Sequence, residues 1–353
     1  MSYADLDNPE LHHQTKLYTG TGSALSVTFD GEEDMQPDWI WCKGRDVANL
    51  QVIFDSVRGT GKAVYADRNN AEENQAQGVT SFDSNGFSMG TLGDLNASTK
   101  SFVSWNWAMG TSFSNDASAT SVGSIDSSGS INTTAGQSII SWTGSGSGAT
   151  IAHGLGAQPQ VVFVKNRDDT ASWSVYTVVG GGGKGLFLNE NNGFDSDSTY
   201  FNNGTASTTT FPVGTANIAN GSSDNMIAYC FAEVKGYSRI SSFVGNADTD
   251  GPWVFCGFRP SFVLIKNTAA SEHWRIYDNK RDTYNHMYHV IYANEAGTES
   301  TVNNASEEID FLSTGFKIRS SAAQLNGSGQ TIFFMAFAEA PFVNSKNVPN
   351  NAR

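Results

Sequence analysis

The chain has 353 residues, more than the hydrophobic core of one domain normally serves, so several modules are expected. Only 16% of the residues are charged, while glycine (36 residues) and aromatic side chains (12%) are abundant, which favours short strands and tight turns over helices. The net charge of −14 repels the phosphate backbone of nucleic acids and anionic lipids, so neither is expected as a partner.

Residues 1–16 precede any regular apolar pattern and are predicted to form an N-terminal arm. They contain no charged-then-apolar signal sequence, and no run of apolar residues approaches the length of about 18 that a membrane span needs. We therefore expect assembly in the cytoplasm of a cell and no membrane insertion. His12 and His13 could bind a metal, but polar surface residues are the simpler interpretation.

One aromatic and Pro-to-Lys pattern occurs three times along the chain. The first copy consists of LYTGTG (17–22), QPDWIWCKGR (36–45) and SFVSWNWA (101–108). The second consists of SWTGSG (141–146), QPQVVFVKNR (158–167) and NMIAYCFAE (225–233), and the third of SSFVGN (241–246), RPSFVLIKNT (259–268) and TIFFMAFAE (331–339). The lysine lies 6 positions after the proline in every copy, and an aromatic residue follows 11 positions later, at Phe54, Tyr176 and Tyr277.

Each copy is predicted to be an antiparallel β-sandwich. The closing segments alternate large apolar with small or polar residues, which is the period of a strand, and Asn-Gly pairs at 85–86 and 192–193 mark turns. The fold class is therefore all-β, with three tandem, internally repeated modules. We call them repeat 1 (17–110), repeat 2 (138–236) and repeat 3 (237–343). Residues 111–137, rich in Ser and Gly, are predicted to be a linker, and 344–353 a C-terminal tail.

Three motifs resemble functional patterns but lack a required part. The run GGGGKG (180–185) has no Ser or Thr after its lysine and so is not a phosphate loop. The acidic clusters 32–34 and 307–308 could supply paired carboxylates but have no counterpart in the other copies. The loops 195–197 and 246–251 offer oxygen atoms without completing a known calcium loop, so calcium binding there is left open. We predict no catalytic residue, no cofactor and no enzyme activity.

The three cysteines lie in apolar aromatic runs and are predicted to be buried thiols rather than metal ligands. They are Cys42, Cys230 and Cys256. Trp173 and Trp274 hold equivalent positions in repeats 2 and 3, which favours a role in core packing over ligand binding.

The candidate binding residues are those that occur in repeat 3 alone. They form an aromatic and amide-rich set: Trp253, Tyr284, Asn285, His286, Tyr288 and His289. If exposed, such side chains can stack on a saccharide or contact a partner protein. The pair His286 and His289 could also bind a metal, but no carboxylate or cysteine completes a ligand set in the sequence.

Several motifs together resemble a domain-of-unknown-function family that recurs in virion proteins of marine tailed bacteriophages. They are SYADLDNP (2–9), DSVRG (55–59), NGF (85–87), HGLG (153–156), GFRP (257–260) and AFAEAPF (336–342). The resemblance implies a lectin-like or jelly-roll-like sandwich in a virion structural protein of the tail-fibre or receptor-binding type. It also implies other virion proteins as partners, a homo-oligomer such as a trimer, and a host-surface saccharide as a possible ligand. A capsid decoration or head-fibre protein and a carbohydrate-binding module are the alternatives.

Repeat 2 departs from the other repeats at one charged position. Repeats 1 and 3 carry an aspartate followed by an arginine, Asp55/Arg58 and Asp278/Arg281, where repeat 2 has Val178-Val179-Gly180. If these charges bind a ligand, repeat 2 is expected not to bind it.

Overall fold

The computed structural model describes residues 4–301 and 307–351, and most of the regular structure in them is strand. Through repeat 1 the strands are β1 (His13–Thr19), β2 (Leu25–Thr28), β3 (Trp39–Gly44), β4 (Val52–Asp55), β5 (Lys62–Tyr65), β6 (Glu73–Asn74), β7 (Val79–Asp83), β8 (Gly86–Met89) and β9 (Ser101–Trp107). Next come β10 (Thr111–Asn115), β11 (Ser127–Asn132), β12 (Gln137–Thr143), β13 (Ala149–Ala152), β14 (Pro159–Asn166), β15 (Ser174–Thr177), β16 (Leu186–Phe187), β17 (Thr210–Val213) and β18 (Asn225–Ala232). The last are β19 (Ser238–Val244), β20 (Trp253–Phe255), β21 (Phe258–Asn267), β22 (Arg275–Asp278), β23 (His289–Tyr292), β24 (Ser300–Thr301), β25 (Ile309–Leu312), β26 (Gly315–Ile318) and β27 (Thr331–Pro341).

The helices of the described chain are short. They are a 3₁₀ helix at Pro9–Leu11 and five four-residue helices, α1 (Gly93–Asn96), α2 (Ala117–Thr120), α3 (Ser198–Phe201), α4 (Asn217–Asn220) and α5 (Ala323–Asn326). No helix in the described ranges is long and apolar enough to cross a membrane.

Three large antiparallel sheets form the body of the molecule. Their strand orders are β1-β9-β3-β4-β5-β6, β10-β11-β12-β18-β14-β15-β16 and β19-β27-β21-β22-β23-β24. The Pro-to-Lys runs form the inner strands β3, β14 and β21, and the closing segments form their neighbours β9, β18 and β27. The all-β prediction is confirmed, whereas the division into three repeats stays a prediction from the sequence.

Each large sheet faces a smaller sheet across a core of its own. The smaller sheets are β2-β8-β7, β13-β17 and β20-β26-β25. Along β3, Ile40 and Cys42 enter such a local core, while Trp39 and Trp41 point to the opposite side. The same alternation occurs in β14 and β21, because successive strand side chains point to opposite faces.

The opposite faces of the three large sheets meet in one central core. This core contains buried side chains from all three repeats. At its middle, the rings of Trp107, Phe231 and Phe337 form a triangle with centroid separations of 6.2, 5.6 and 5.7 Å. Because both faces of every large sheet are buried, the runs on β14 and β21 are almost continuously apolar.

A buried lysine joins each repeat to a neighbouring repeat. The lysine that ends each Pro-to-Lys run is fully buried and donates to a backbone carbonyl of a different repeat. The contacts are Lys43 Nζ to Ala296 O at 3.2 Å, Lys165 Nζ to Asn69 O at 3.3 Å and Lys266 Nζ to Asn191 O at 3.1 Å. The contacts run from repeat 1 to 3, from 2 to 1 and from 3 to 2, so they close a ring. Burial lowers the pKa of Lys43 to about 8 and those of Lys165 and Lys266 to about 7.

The segment predicted as a linker, 111–137, forms regular structure instead. Strands β10 and β11 pair with each other, and β11 pairs with β12, so the segment extends the second large sheet. The composition was misleading because a sheet edge is held by backbone hydrogen bonds, which small residues make as well as large ones. Gly129 shows why small residues are needed: a Cβ there would lie 1.8 Å from the carbonyl oxygen of Ile139.

The terminal segments are also packed on the body. Strand β1 begins at His13, inside the segment predicted as an arm, and Leu6 is buried in the central core. Asp7 accepts hydrogen bonds from the backbone N–H of Ser345, at 2.8 Å, and from its hydroxyl, so the two terminal segments contact each other. The described parts of the arm and the tail are therefore held against their own chain.

We predict that replacing Phe231 with Ala strongly destabilises the fold, because it leaves a cavity where three sheets meet. The free energy of unfolding should fall by about 3–5 kcal/mol, measured by guanidinium denaturation. Phe255→Ala is the matched control, since Phe255 is largely exposed and its loss should change stability by only about 0.5 kcal/mol. Equal losses in the two variants would contradict a shared central core.

Candidate functional site

The outer face of the sheet β20-β26-β25 carries the largest exposed aromatic pair of repeat 3. Val254 points into the local core, so Trp253 and Phe255, on either side of it, point outward. Trp253 is 54% exposed and Phe255 is 56% exposed. Their ring centroids are 5.8 Å apart at an angle of 71°. We call this pair the aromatic face.

Charged side chains surround the aromatic face. Lys317 pairs with Trp253 across the sheet, and its Nζ contacts Asp250 Oδ1 and Gly251 O, both at 2.8 Å. Arg319 Nε donates to Asp310 Oδ2 at 2.5 Å. The exposed rings therefore lie beside fixed charges, an arrangement that suits a ligand with both apolar and polar surface.

The segment from Tyr284 to His289 lies at the other edge of the same sheet. Asn285 donates from Nδ2 to Phe311 O and accepts at Oδ1 from Phe311 N–H, both at 2.8 Å, so its amide continues the sheet beyond β25. Tyr284 is 78% exposed. Asn285 thus has a structural role, and the neighbouring side chain of Tyr284 is exposed to solvent.

An open pocket lies next to this segment. It is lined by His286, Tyr288, His289, Thr301 and Glu308. His286 Nδ1 lies 2.5 Å from the largely buried Asp310 Oδ1, and His289 Nδ1 lies 2.6 Å from Asp282 Oδ1. The rings of Tyr288 and His289 pack at a centroid distance of 4.4 Å. Buried carboxylates thus hold two imidazoles at an accessible surface, and the phenol ring of Tyr288 packs against one of them.

The structure therefore separates the six predicted residues into two groups. Trp253 lies at one edge of the small sheet, and His286, Tyr288 and His289 line the pocket beyond the other edge. Sequence reasoning missed Phe255, although its position two residues after Trp253 in a short strand was the signal that could have revealed it. In the described ranges, no three His, Cys, Asp or Glu side chains form a group that could hold a metal ion.

The paired charges of repeats 1 and 3 are buried at junctions between repeats. Arg58 Nε contacts Asp55 Oδ2 at 2.5 Å, and the same carboxylate oxygen accepts from the Tyr229 hydroxyl of repeat 2 at 2.6 Å. Asp278 Oδ2 likewise accepts from Arg281 Nε at 2.6 Å and from the indole N–H of Trp105 in repeat 1 at 3.0 Å. These side chains are not accessible to a ligand.

The acid of the second junction is held ionised by its partners. Burial by itself raises the pKa of Asp278, but Arg281 and the hydrogen bonds to the carboxylate outweigh it and leave the pKa below its ordinary value. In repeat 2, the strand register places Thr177 at the position equivalent to Asp278, one residue before the Val178-Val179-Gly180 run that the sequence comparison aligned there. The position equivalent to Trp105 and Tyr229 is Met335, which donates no hydrogen bond. The buried acid and the donor that it bonds in the other two junctions are therefore both missing at the third junction.

Other residues considered from sequence have structural roles. Trp173 and Trp274 are fully buried, and their indole N–H groups donate to Tyr65 O and Phe187 O, so the core-packing interpretation is confirmed. All three cysteines are buried free thiols, as predicted. Glu307 is buried and accepts from Arg275 Nη2 at 2.9 Å, which ties one of the predicted carboxylates into the fold.

His13 is not a surface residue. Its ring packs against Trp107, Phe262 and Phe337 in the central core, with centroid distances of 4.8, 5.7 and 5.3 Å. Burial lowers its pKa to about 3, although Asp278 acts in the opposite direction. His13 is therefore neutral in the folded protein at neutral pH.

We predict that His13 makes the fold sensitive to acid. His13 binds a proton near pH 6.5 in the unfolded chain but only near pH 3 in the folded chain. The contribution of the neutral His13 side chain to the free energy of unfolding is therefore complete above pH 6.5 and is lost as the pH falls towards 3. The test variant is His13→Gln, because repeat 2 has glutamine (Gln137) at the equivalent position. Its free energy of unfolding should fall less steeply between pH 6.5 and 4 than that of the unchanged protein. Denaturation at several pH values measures this slope. Equal slopes in the two proteins would contradict a buried neutral imidazole.

Comparison with known proteins assigns the chain to a family without a described activity. No curated protein matches the chain. A family model described as "Domain of unknown function (DUF7483)" matches residues 8–341, which include the three large sheets, the aromatic face and the neighbouring pocket. The chain therefore belongs to the family of the domain of unknown function DUF7483.

Proposed function

We propose that this chain is a non-enzymatic structural and binding protein of a bacteriophage virion, of the tail-fibre or receptor-binding type. The resemblance of the sequence motifs to those of bacteriophage virion proteins supports a location in the virion, with other virion proteins as partners. The burial of the paired charges supports a non-enzymatic role, because groups that could otherwise act on a substrate join the repeats instead.

The observation that carries the binding role is the aromatic face. Two large rings in contact, each more than half exposed, are costly to leave in water and are typical of surfaces that meet a partner. The fixed charges around them supply hydrogen-bonding groups. A host-surface saccharide fits this chemistry, since one face of a sugar ring is apolar and its rim carries hydroxyl groups.

A carbohydrate-binding module is the second candidate function, and the pocket of His286, Tyr288 and His289 favours it. Its imidazoles and phenol can exchange hydrogen bonds with hydroxyl groups, and buried carboxylates hold the imidazoles in place. This role is compatible with the first, because a receptor-binding protein can use such a module. A capsid decoration or head-fibre protein is the alternative for the location, and antibody labelling of virions that contain the protein distinguishes head from tail.

We predict that the aromatic face binds glycans of the bacterial surface. On an array of bacterial glycans, the double variant Trp253→Ala/Phe255→Ala should bind at least about tenfold more weakly than the unchanged protein, equivalent to about 1.4 kcal/mol. Val178→Ala, a partly exposed side chain of repeat 2, is the matched control and should bind normally. Thermal unfolding confirms that both variants fold. Absence of binding by the unchanged protein, or equal binding by the double variant, would refute this role.

We also predict that the protein self-associates, for example as a trimer. Light scattering over a range of concentrations should give the mass of more than one chain, which is three chains for a trimer. A single-chain mass at every concentration would contradict self-assembly while leaving the binding role of the aromatic face untouched.

A further inference from the structure

The first strand of repeat 3 has an open edge where repeat 2 has a covered one. In repeat 2, β12 pairs with β18 on one side and with β11 on the other. In repeat 3, β19 occupies the same place beside β27. Ser238 lies opposite Phe337, just as Gln137 lies opposite the equivalent Phe231 in repeat 2. In the described part of the chain, no strand lies on the outer side of β19.

The backbone geometry identifies which groups of β19 face outward. At the two ends of the strand pair, Ala338 N–H donates to Tyr237 O at 2.8 Å and Gly245 N–H donates to Gln330 O at 3.0 Å. Because bonded positions alternate along an antiparallel pair, the N–H and C=O groups of Ile240, Ser242 and Val244 point away from β27. The outward direction is visible at Ile240, whose N–H donates to Glu233 Oε1 at 2.9 Å.

The next two outward positions have no such partner. Among residues 4–301 and 307–351, no group hydrogen-bonds to the backbone N–H of Ser242 or Val244. Val244 is in addition 60% exposed, which is unusual for a β-branched apolar side chain in a strand. The far half of β19 is therefore an available template for another strand.

Strand β11, which pairs with the equivalent edge of β12, shows which kind of segment can cover such an edge. The positions equivalent to Ile240 and Ser242 are Ile139 and Ser141, and they face Ser130 and Ser128 of β11. The strand that covers them is short, uncharged and made mostly of Ser and Gly. A Cβ on Gly129, between those serines, would clash with the backbone of β12, so the close approach selects small residues.

The equivalent edge in repeat 1 carries a protecting charge that the far half of β19 lacks; in the near half, Arg239 is paired with Glu233. Lys16 lies in β1 and forms an ion pair with Asp30 at 3.1 Å. Charged side chains on edge strands, lysine above all, discourage pairing with another chain. Ser241 to Val244 in β19 contain no charged residue.

We propose that the free edge of β19 is a docking site for a strand of another protein, a short, uncharged Ser- and Gly-rich segment that pairs antiparallel to Ser242 and Val244. Repeat 3 would then gain at Ser242 the cover that β11 gives to the equivalent Ser141, and the partner strand would continue past Val244. This site is separate from the aromatic face and does not depend on the function proposed above.

The test uses a synthetic peptide that copies residues 124–134 of this chain, with Asp126→Ser to keep it uncharged, as the docking strand. Hydrogen–deuterium exchange of the full-length protein should slow at the amides of Ser242 and Val244 by at least about tenfold at saturating peptide, because these amides gain acceptors. A peptide with Gly129→Val is the matched control and should leave exchange unchanged. No slowing with the original peptide, or equal slowing with both peptides, would overturn the proposal.

A variant of the protein provides an independent check. Ser242→Pro removes the outward N–H but no bond to β27, so thermal unfolding should show a folded protein. The peptide should no longer slow exchange at Val244 in this variant, and persistence of the slowing would overturn the proposal. If Ser242→Pro instead converts an oligomer of the protein alone into single chains in light scattering, the edge is occupied by a second copy and not by a foreign strand, which also overturns it.

Discussion

The burial of both faces of each large sheet is the constraint on which the rest of the structure depends. One face meets a small sheet, and the other meets the two neighbouring large sheets around Trp107, Phe231 and Phe337. A repeat folded alone would expose its inner aromatic face to water, at a cost of about 25 cal/mol for each Å² of apolar surface. The repeats therefore stabilise one another, and the chain forms one body despite its tandem sequence.

Burial on both faces also determines what the polar residues of the motifs do. A buried ammonium or carboxylate is tolerated only with hydrogen-bonding partners, and here its own repeat supplies some of them and the adjacent repeat completes the set. Lys43 therefore donates to repeat 3, and Asp55 accepts from Tyr229 of repeat 2. The pair Thr177 and Met335 fits the same requirement. Repeat 2 has no buried acid at this position, and repeat 3 has no hydrogen-bond donor at the position that would contact such an acid. The charged motifs are thus accounted for by assembly of the repeats.

The inner strands could be predicted from sequence because their pattern is set by local geometry. A continuous apolar run with a proline at or near its entrance and a lysine at its end is sufficient to identify β3, β14 and β21. Strands β10 and β11 could not be identified, since backbone pairing needs no apolar side chain. The burial of His13 was equally hidden, because it depends on three rings far away in the sequence. Phe255 was missed because exposure, which makes it a candidate, is a property of the assembled sheet.

The differences between the repeats that create exposed surface lie outside the central core. The segment 111–137 covers the outer edge of β12 with strands β10 and β11, whereas repeat 3 leaves β19 open and presents Trp253 and Phe255 on its small sheet. A substitution in the central core must fit against side chains from three sheets. An outer sheet or a sheet edge contacts fewer elements, so a substitution there can be accommodated without disturbing the other two repeats. The surfaces that we propose for binding therefore lie at the periphery, where one repeat can acquire a surface that the other two do not have.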